Sequence, residues 1–142
     1  MLHAKWRWIL SCFLFAVLIA CKKDPVTPAT VDLSQAILEN FQLEETTIVG
    51  ITVTHPVLSN GVETSPGEIR VTVPRGTALA SLTPKASNFT DNNFTVTPQL
   101  GRPQNFHNRV LIYTIAAKQQ AAKQVRYAVT ITEAAADPDP QA

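Results

Sequence analysis

The 142-residue chain carries a formal charge of +1, with 12 Lys and Arg against 11 Asp and Glu, a balance that excludes the basic excess of a nucleic-acid binder. Once flexible ends are set aside, that length leaves room for one domain of about 100 residues and not for two. Neither histidines nor carboxylates recur at metal-ligand spacing, so no cofactor or metal is expected.

In chain order, Lys5 and Arg7 form a short basic start, and Ile9 to Ala20 is an apolar run interrupted only by Ser11 and Cys12. Lys22-Lys23-Asp24 closes that run well short of the roughly 20 apolar residues that span a bilayer, so residues 1–20 read as a signal peptide. Its removal takes Lys5 and Arg7 with it and shifts the formal charge from +1 to −1.

Leu18-Ile19-Ala20-Cys21 resembles the lipobox of bacterial lipoproteins. The resemblance implies that the Cys21 thiol receives a diacylglycerol, that the peptide before it is cut away, and that the protein is held to a membrane by lipid. Ile9-Leu10-Ser11-Cys12 is a rival box, but it leaves almost no apolar segment in front of it. With Cys12 discarded and Cys21 blocked, neither thiol is left for a disulfide, and packing alone must hold the domain. Lys22 stands where the enteric sorting rule places an inner-membrane aspartate, so the implied address is the outer membrane. Cys21-Lys22-Lys23-Asp24 is also similar to the start of Bacteroidota lipoproteins, in which an acidic cluster directs surface display; here Asp24 stands alone. Pro25 to Pro28 has no apolar period, and residues 21–33 read as a lipidated tether.

The body, residues 34–133, is expected to be all-β. Val31 to Leu38 would suit a short helix capped by Asp32 or Ser34, but Ile37, Phe41 and Leu43 also fit a strand, and a short first strand near Leu38 to Leu43 is favoured. Beyond Ile48, Thr and Val dominate, with Gly and Pro at short intervals. Glu68 to Val73 alternates strictly, setting Ile69, Val71 and Val73 on a core face and Glu68, Arg70 and Thr72 on the other. Pro74 and Gly76 end that strand, with Leu79 and Leu82 capping the core beyond it. Leu111 to Ala117 and Val125 to Ile131 alternate as two further strands. Their connection, Lys118 to Gln124, lacks Gly, Asn and Asp, which argues against a tight two-residue turn and for a longer polar loop or an extended ribbon tip. Residues 134–142 read as a flexible tail. Short strands separated by turn signals point to two packed sheets, an immunoglobulin-like β-sandwich of about seven strands.

Val73-Pro74-Arg75-Gly76-Thr77-Ala78-Leu79, Leu82-Thr83-Pro84, Val96-Thr97-Pro98, Asn105-Phe106 and Tyr127-Ala128-Val129-Thr130-Ile131 follow one another in a recurring order. That order resembles the Ig-like modules of unassigned function in Bacteroidota envelope lipoproteins, over roughly residues 37–133. The resemblance implies a structural module and brings no catalytic residue.

Catalytic constellations are missing from the sequence. Glu44 and Glu45 are adjacent, but neighbours along a strand face opposite ways and cannot flank one glycosidic bond. No Gly-x-Ser-x-Gly elbow occurs, and Ser59-Asn60-Gly61 reads as a turn. His55 and His107 read as exposed loop residues. Phe89 and Phe94 bracket Thr90, Asp91, Asn92 and Asn93; core packing is the favoured role for the rings, and a shallow ligand groove with Asp91, Asn92 and Asn93 is the alternative. Lys118, Lys123 and Arg126 with Arg70 read as a solvated edge, a basic patch being the other reading. Two functions stay open: a lipid-anchored, non-catalytic envelope module for protein binding, assembly or spacing, or a carbohydrate-binding accessory lipoprotein of a glycan-uptake system. An envelope protein or a glycan is the expected partner of this non-enzyme.

Overall fold

A computed structural model describes residues 30–86 and 93–137. The chain is all-β, a two-layer sandwich of unequal layers. A 3-10 helix, Leu33–Gln35, is followed by strands β1 (Phe41–Leu43), β2 (Gly50–Thr54), β3 (Val57–Ser59), β4 (Val62–Ser65), β5 (Gly67–Val73), β6 (Pro84–Ala86), β7 (Phe94–Thr97), β8 (Leu111–Ala117) and β9 (Gln120–Glu133). The main sheet has the order β2-β5-β9-β8-β7. Every neighbouring pair in it is antiparallel except β5 and β9, which run side by side from Gly67↔Tyr127 to Val73↔Glu133. The second layer is thinner: the β1–β6 ribbon, the 3-10 helix and the bridge that pairs Leu82 with Gln104.

Period-2 alternation explains the main sheet. Along β5, Ile69, Val71 and Val73 are buried and Arg70 is exposed; along β9, Val125, Tyr127, Val129 and Ile131 are buried in the same way. Tyr113 of β8 stands opposite Tyr127, and both rings are fully buried. Phe41 and Leu43 of β1, Leu38, Leu82 and Phe106 close over this face from the second layer. Among the described residues the buried core runs from Leu33 to Ile131.

Nine strands are present among the described residues, where about seven were expected. The β3–β4 hairpin adds two, and it turns on Asn60 and Gly61 with φ of 51° and 73°. Both central residues lie in the left-handed region, which Asn-Gly reaches at little cost and which matches the twist of a two-residue hairpin. The hairpin folds onto β9, where Glu63 accepts hydrogen bonds from the Arg126 backbone N–H and, at 2.8 Å, from its Nε. A salt bridge of 2.7 Å from Arg126 Nη2 completes the clamp.

The β8–β9 connection corrects the sequence expectation. Lys118 and Gln119 form a tight two-residue turn. Ala117 pairs with Gln120, but Ala116 pairs with Gln124, so Ala121, Ala122 and Lys123 are extra residues on β9. The missing Gly and Asn do exclude the primed turns that suit a hairpin; the chain uses an ordinary turn and absorbs the mismatch in a bulge.

Gly67 marks the closest approach in the core. A Cβ there would lie 2.7 Å from the Thr54 carbonyl oxygen and 2.7 Å from the Tyr127 ring, so only glycine lets β2, β5 and that ring meet.

Candidate functional site

The sandwich has two poles, one where the segment from Leu33 to Leu38 packs against Tyr127 and one where β9 ends beside Val73. At the first, Leu33 and Ala36 are buried near the start of β9, and the Leu38 N–H donates to the Tyr127 hydroxyl at 3.3 Å. His55 Nδ1 lies 3.0 Å from the same hydroxyl, with the two rings edge to face at 6.2 Å. Tyr127 thus ties the segment after the 3-10 helix to the residue that follows β2. Burial raises the pKa of its hydroxyl, the Leu38 N–H lowers it, and the charge of Glu39 raises it; the sum lies above the ordinary value. A depression of about 430 Å³ lies here between Leu33, Ile37, His55, Pro56 and Leu58. The opposite pole is where β9 ends at Glu133 beside Val73, sealed by the Ala134 N–H donating to the Val73 carbonyl at 2.8 Å. From Val125 to Glu133 the strand covers roughly 26 Å at about 3.3 Å per residue.

The outer face of the main sheet differs sharply from the core face. Strand register puts Thr52 and Thr54 of β2, Thr72 of β5, Thr130 and Thr132 of β9, Thr114 of β8 and Thr95 and Thr97 of β7 on it. Its charges are largely compensated: Arg70 Nε donates to Glu68 at 2.8 Å, and Arg126 is held by Glu63. The basic patch that Arg70 and Arg126 would have formed with Lys118 and Lys123 is therefore not assembled. Near the exit pole the face carries a depression of about 470 Å³ with Gly50 at its floor, walled by Thr52, Arg70, Thr72, Thr130 and Thr132. A second depression of about 500 Å³ adjoins it at the end of the sheet, where β9 runs past the start of β8; it shares Thr130 and Thr132, takes in Asn108, Arg109, Val110 and Glu133, and reaches the core side at Leu79, Phe106 and Ile131. Asn108 sits in the left-handed region, at φ 53°, in a turn opened by the His107 N–H donating to the Asn105 side chain at 2.9 Å.

An exposed carboxylate and a buried hydroxyl show how differently the protein treats polar atoms. Glu45 reaches across to Thr83, accepting its N–H at 2.8 Å and its hydroxyl at 2.5 Å. Desolvation pushes the Glu45 carboxyl up, but the two Thr83 donors, its own backbone N–H and the charge of Lys85 together hold it below the usual carboxylate range. The Tyr113 hydroxyl, by contrast, is buried with no hydrogen-bond partner among the described residues, and burial pushes its pKa to about 12.

Of the residues singled out in the sequence, Cys21, Phe89, Asp91 and Asn92 lie outside the described residues. Asn93 is exposed at the foot of β7, and its carbonyl accepts the Lys118 N–H at 2.8 Å. Phe94 opens β7 at 4% exposure and belongs to the core cluster. His55 is exposed, yet it is also joined to the core through Tyr127, a contact spanning 72 residues that no local pattern announces. The threonine-lined depressions were not anticipated either. A signal did exist: Thr52-Val53-Thr54, Thr95-Val96-Thr97 and Thr130-Ile131-Thr132 repeat threonine at the strand period. No group of three or more His, Cys, Asp or Glu is placed to hold a metal among the described residues. No helix among them is long and apolar enough to cross a membrane.

The family model described as SGBP, N-terminal, matches residues 44–131, from the end of β1 to the last buried residue of β9. This chain belongs to the SGBP N-terminal family. The matched span takes in β2, β5, β7 and β8 whole and β9 as far as Ile131, and with them most of the lining of the two adjoining depressions. No curated protein matches the chain. Among solved structures, a crystal structure from Bacteroides thetaiotaomicron presented as a glycoside hydrolase aligns over 70% of this chain at 22% identity and a TM-score of 0.41. The SGBP N-terminal chain spans about a quarter of that structure, 26% of its length, and a likeness this loose carries neither fold nor activity across.

Proposed function

We propose that this protein is a lipid-anchored, non-catalytic module of a bacterial surface glycan-binding protein, which holds glycan-binding surface away from the outer membrane. SGBP is read here as surface glycan-binding protein, and family membership over residues 44–131 is the observation that carries the proposal. The arrangement of the poles supports it. The segment that follows the Cys21 tether meets the sandwich at the Tyr127 end, and β9 leaves at the Val73 end, so the domain lies in line between anchor and exit. A folded spacer of this kind sets a fixed distance that a flexible tether cannot. The anchor would be a diacylated Cys21, since more than one acyl chain is needed for a stable hold.

Metabolic labelling with an alkyne palmitate analogue tests the anchor. The wild-type protein should be labelled and recovered with outer membranes, and Cys21→Ala should lose the label and the membrane association. Label that persists in Cys21→Ala would overturn the assignment and move it to Cys12.

A further inference from the structure

We propose that the two adjoining depressions, one on the outer face and one at the end of the sheet where β9 runs past the start of β8, form a track for an uncharged oligosaccharide, crossing the strands from Gly50 on β2 to Val110 before β8. The inference rests on the glycan-binding reading above and adds that this module itself touches the sugar.

Threonine is common on solvated strand faces, so its presence alone decides nothing. The arrangement says more. Gly50 withholds a side chain where its neighbours on that face carry one, which opens the floor between Thr52 and Thr72; a Cβ there would meet only Thr72, at 3.8 Å. Thr130 and Thr132 line both depressions, so the two adjoin along β9. It crosses from β2 through β5 and β9 to the start of β8, about 14 Å at about 4.8 Å per strand, room for a short oligosaccharide.

The chemistry of the lining matches a sugar. Each threonine offers a hydroxyl that donates and accepts beside a methyl group, the same mixture that a pyranose ring presents. Among the described residues, the hydroxyls of Thr52, Thr72, Thr130 and Thr132 make no hydrogen bond within the fold and remain available to a ligand. Arg70 gives its Nε to Glu68 and keeps its terminal nitrogens for vicinal hydroxyls. Val110, 53% exposed, supplies an apolar platform at the far end. Two arginines, Arg70 and Arg109, are balanced there by Glu68 and Glu133, so the track has no net charge with which to attract an acidic ligand.

The test is isothermal titration of the full chain in detergent with a panel of neutral hexasaccharides, namely cello-, malto-, manno- and xylohexaose, alongside hexagalacturonate as the acidic control. At least one neutral hexaose should bind, and hydrogen exchange should slow at residues 50–52, 70–72 and 130–132. Thr52→Val/Thr130→Val keeps strand shape and removes two hydroxyls, and Gly50→Val fills the floor; each should weaken binding at least tenfold. Thr95→Val/Thr97→Val, on the same face but outside the track, should bind as the wild type does. Binding of a neutral hexaose that all these variants retain would sink the track while leaving the glycan-binding reading intact. Silence toward every neutral hexaose, or preference for the galacturonate, would overturn the track, and the anchoring result would still stand on its own.

Discussion

The two faces of the main sheet are built from the same strands and obey opposite rules. On the core face, Ile69, Val71, Tyr127, Val129 and Tyr113 are fully or almost fully buried, and a single added Cβ at Gly67 has nowhere to go. On the outer face, isoleucine and valine give way to threonine, and Ile112 stands 50% exposed beside Ala128. One face is specified by shape and the other by its surface chemistry. Substitutions should therefore be expensive on the first and tolerated on the second, whatever the outer face binds.

The largest contrast should come from one substitution made on both faces. Ile69→Ala should cost about 3 kcal/mol of unfolding free energy, because it opens a cavity in a region that cannot collapse around it. Chemical denaturation would measure it, and a cost below about 1 kcal/mol would mean that the core face is less tightly packed than its burial implies. The two buried tyrosines give the next effect. Tyr127→Phe should cost about 1–2 kcal/mol, since it leaves the buried Leu38 N–H without its acceptor. Tyr113→Phe should be neutral or slightly stabilising by the same measurement, because its hydroxyl has no partner to lose among the described residues.

Tyr113 also sets an alkaline limit. Its pKa is raised from 10.0 to about 12 in the fold, so the stability it contributes is complete below pH 10 and is lost as pH rises toward about 12. Urea melts across that window should show a loss that is smaller in Tyr113→Phe. The smallest effect belongs to the outer face: Ile112→Ala should change stability by no more than about 0.5 kcal/mol, as exposed positions generally do. A larger cost would mean that something covers Ile112 in solution.

This division was legible in part from the sequence. Ile69, Val71 and Val73 could be assigned inward from alternation alone, as could Val125 to Ile131, because a strand has only two sides and one was plainly apolar. The Asn60-Gly61 turn was legible for the same local reason, its positive φ values being natural to those two residues. What could not be read was anything that depends on register between distant segments. The outward threonines become a track only when β2, β5 and β9 lie side by side, and the parallel pairing of β5 with β9 joins residues 60 positions apart. The union of Leu38, His55 and Tyr127 is likewise made by the fold. Lys118 to Gln124 failed differently: the composition excluded a primed turn correctly, but a bulge supplied a second way to close the hairpin.

The placement of the poles has a mechanical meaning. A pull between Leu38 and Glu133 runs along the strands, so the seven-residue ladder that locks β9 to β5 is loaded in shear, with its bonds lying across the line of force and yielding together. On the other side the same tension reaches the core through β1, which is held to β6 by three paired positions and to its neighbour by Glu45 on Thr83. The first layer to part under load is therefore the thin one, and the main sheet with its outer face stays whole while the short ribbon acts as the fuse.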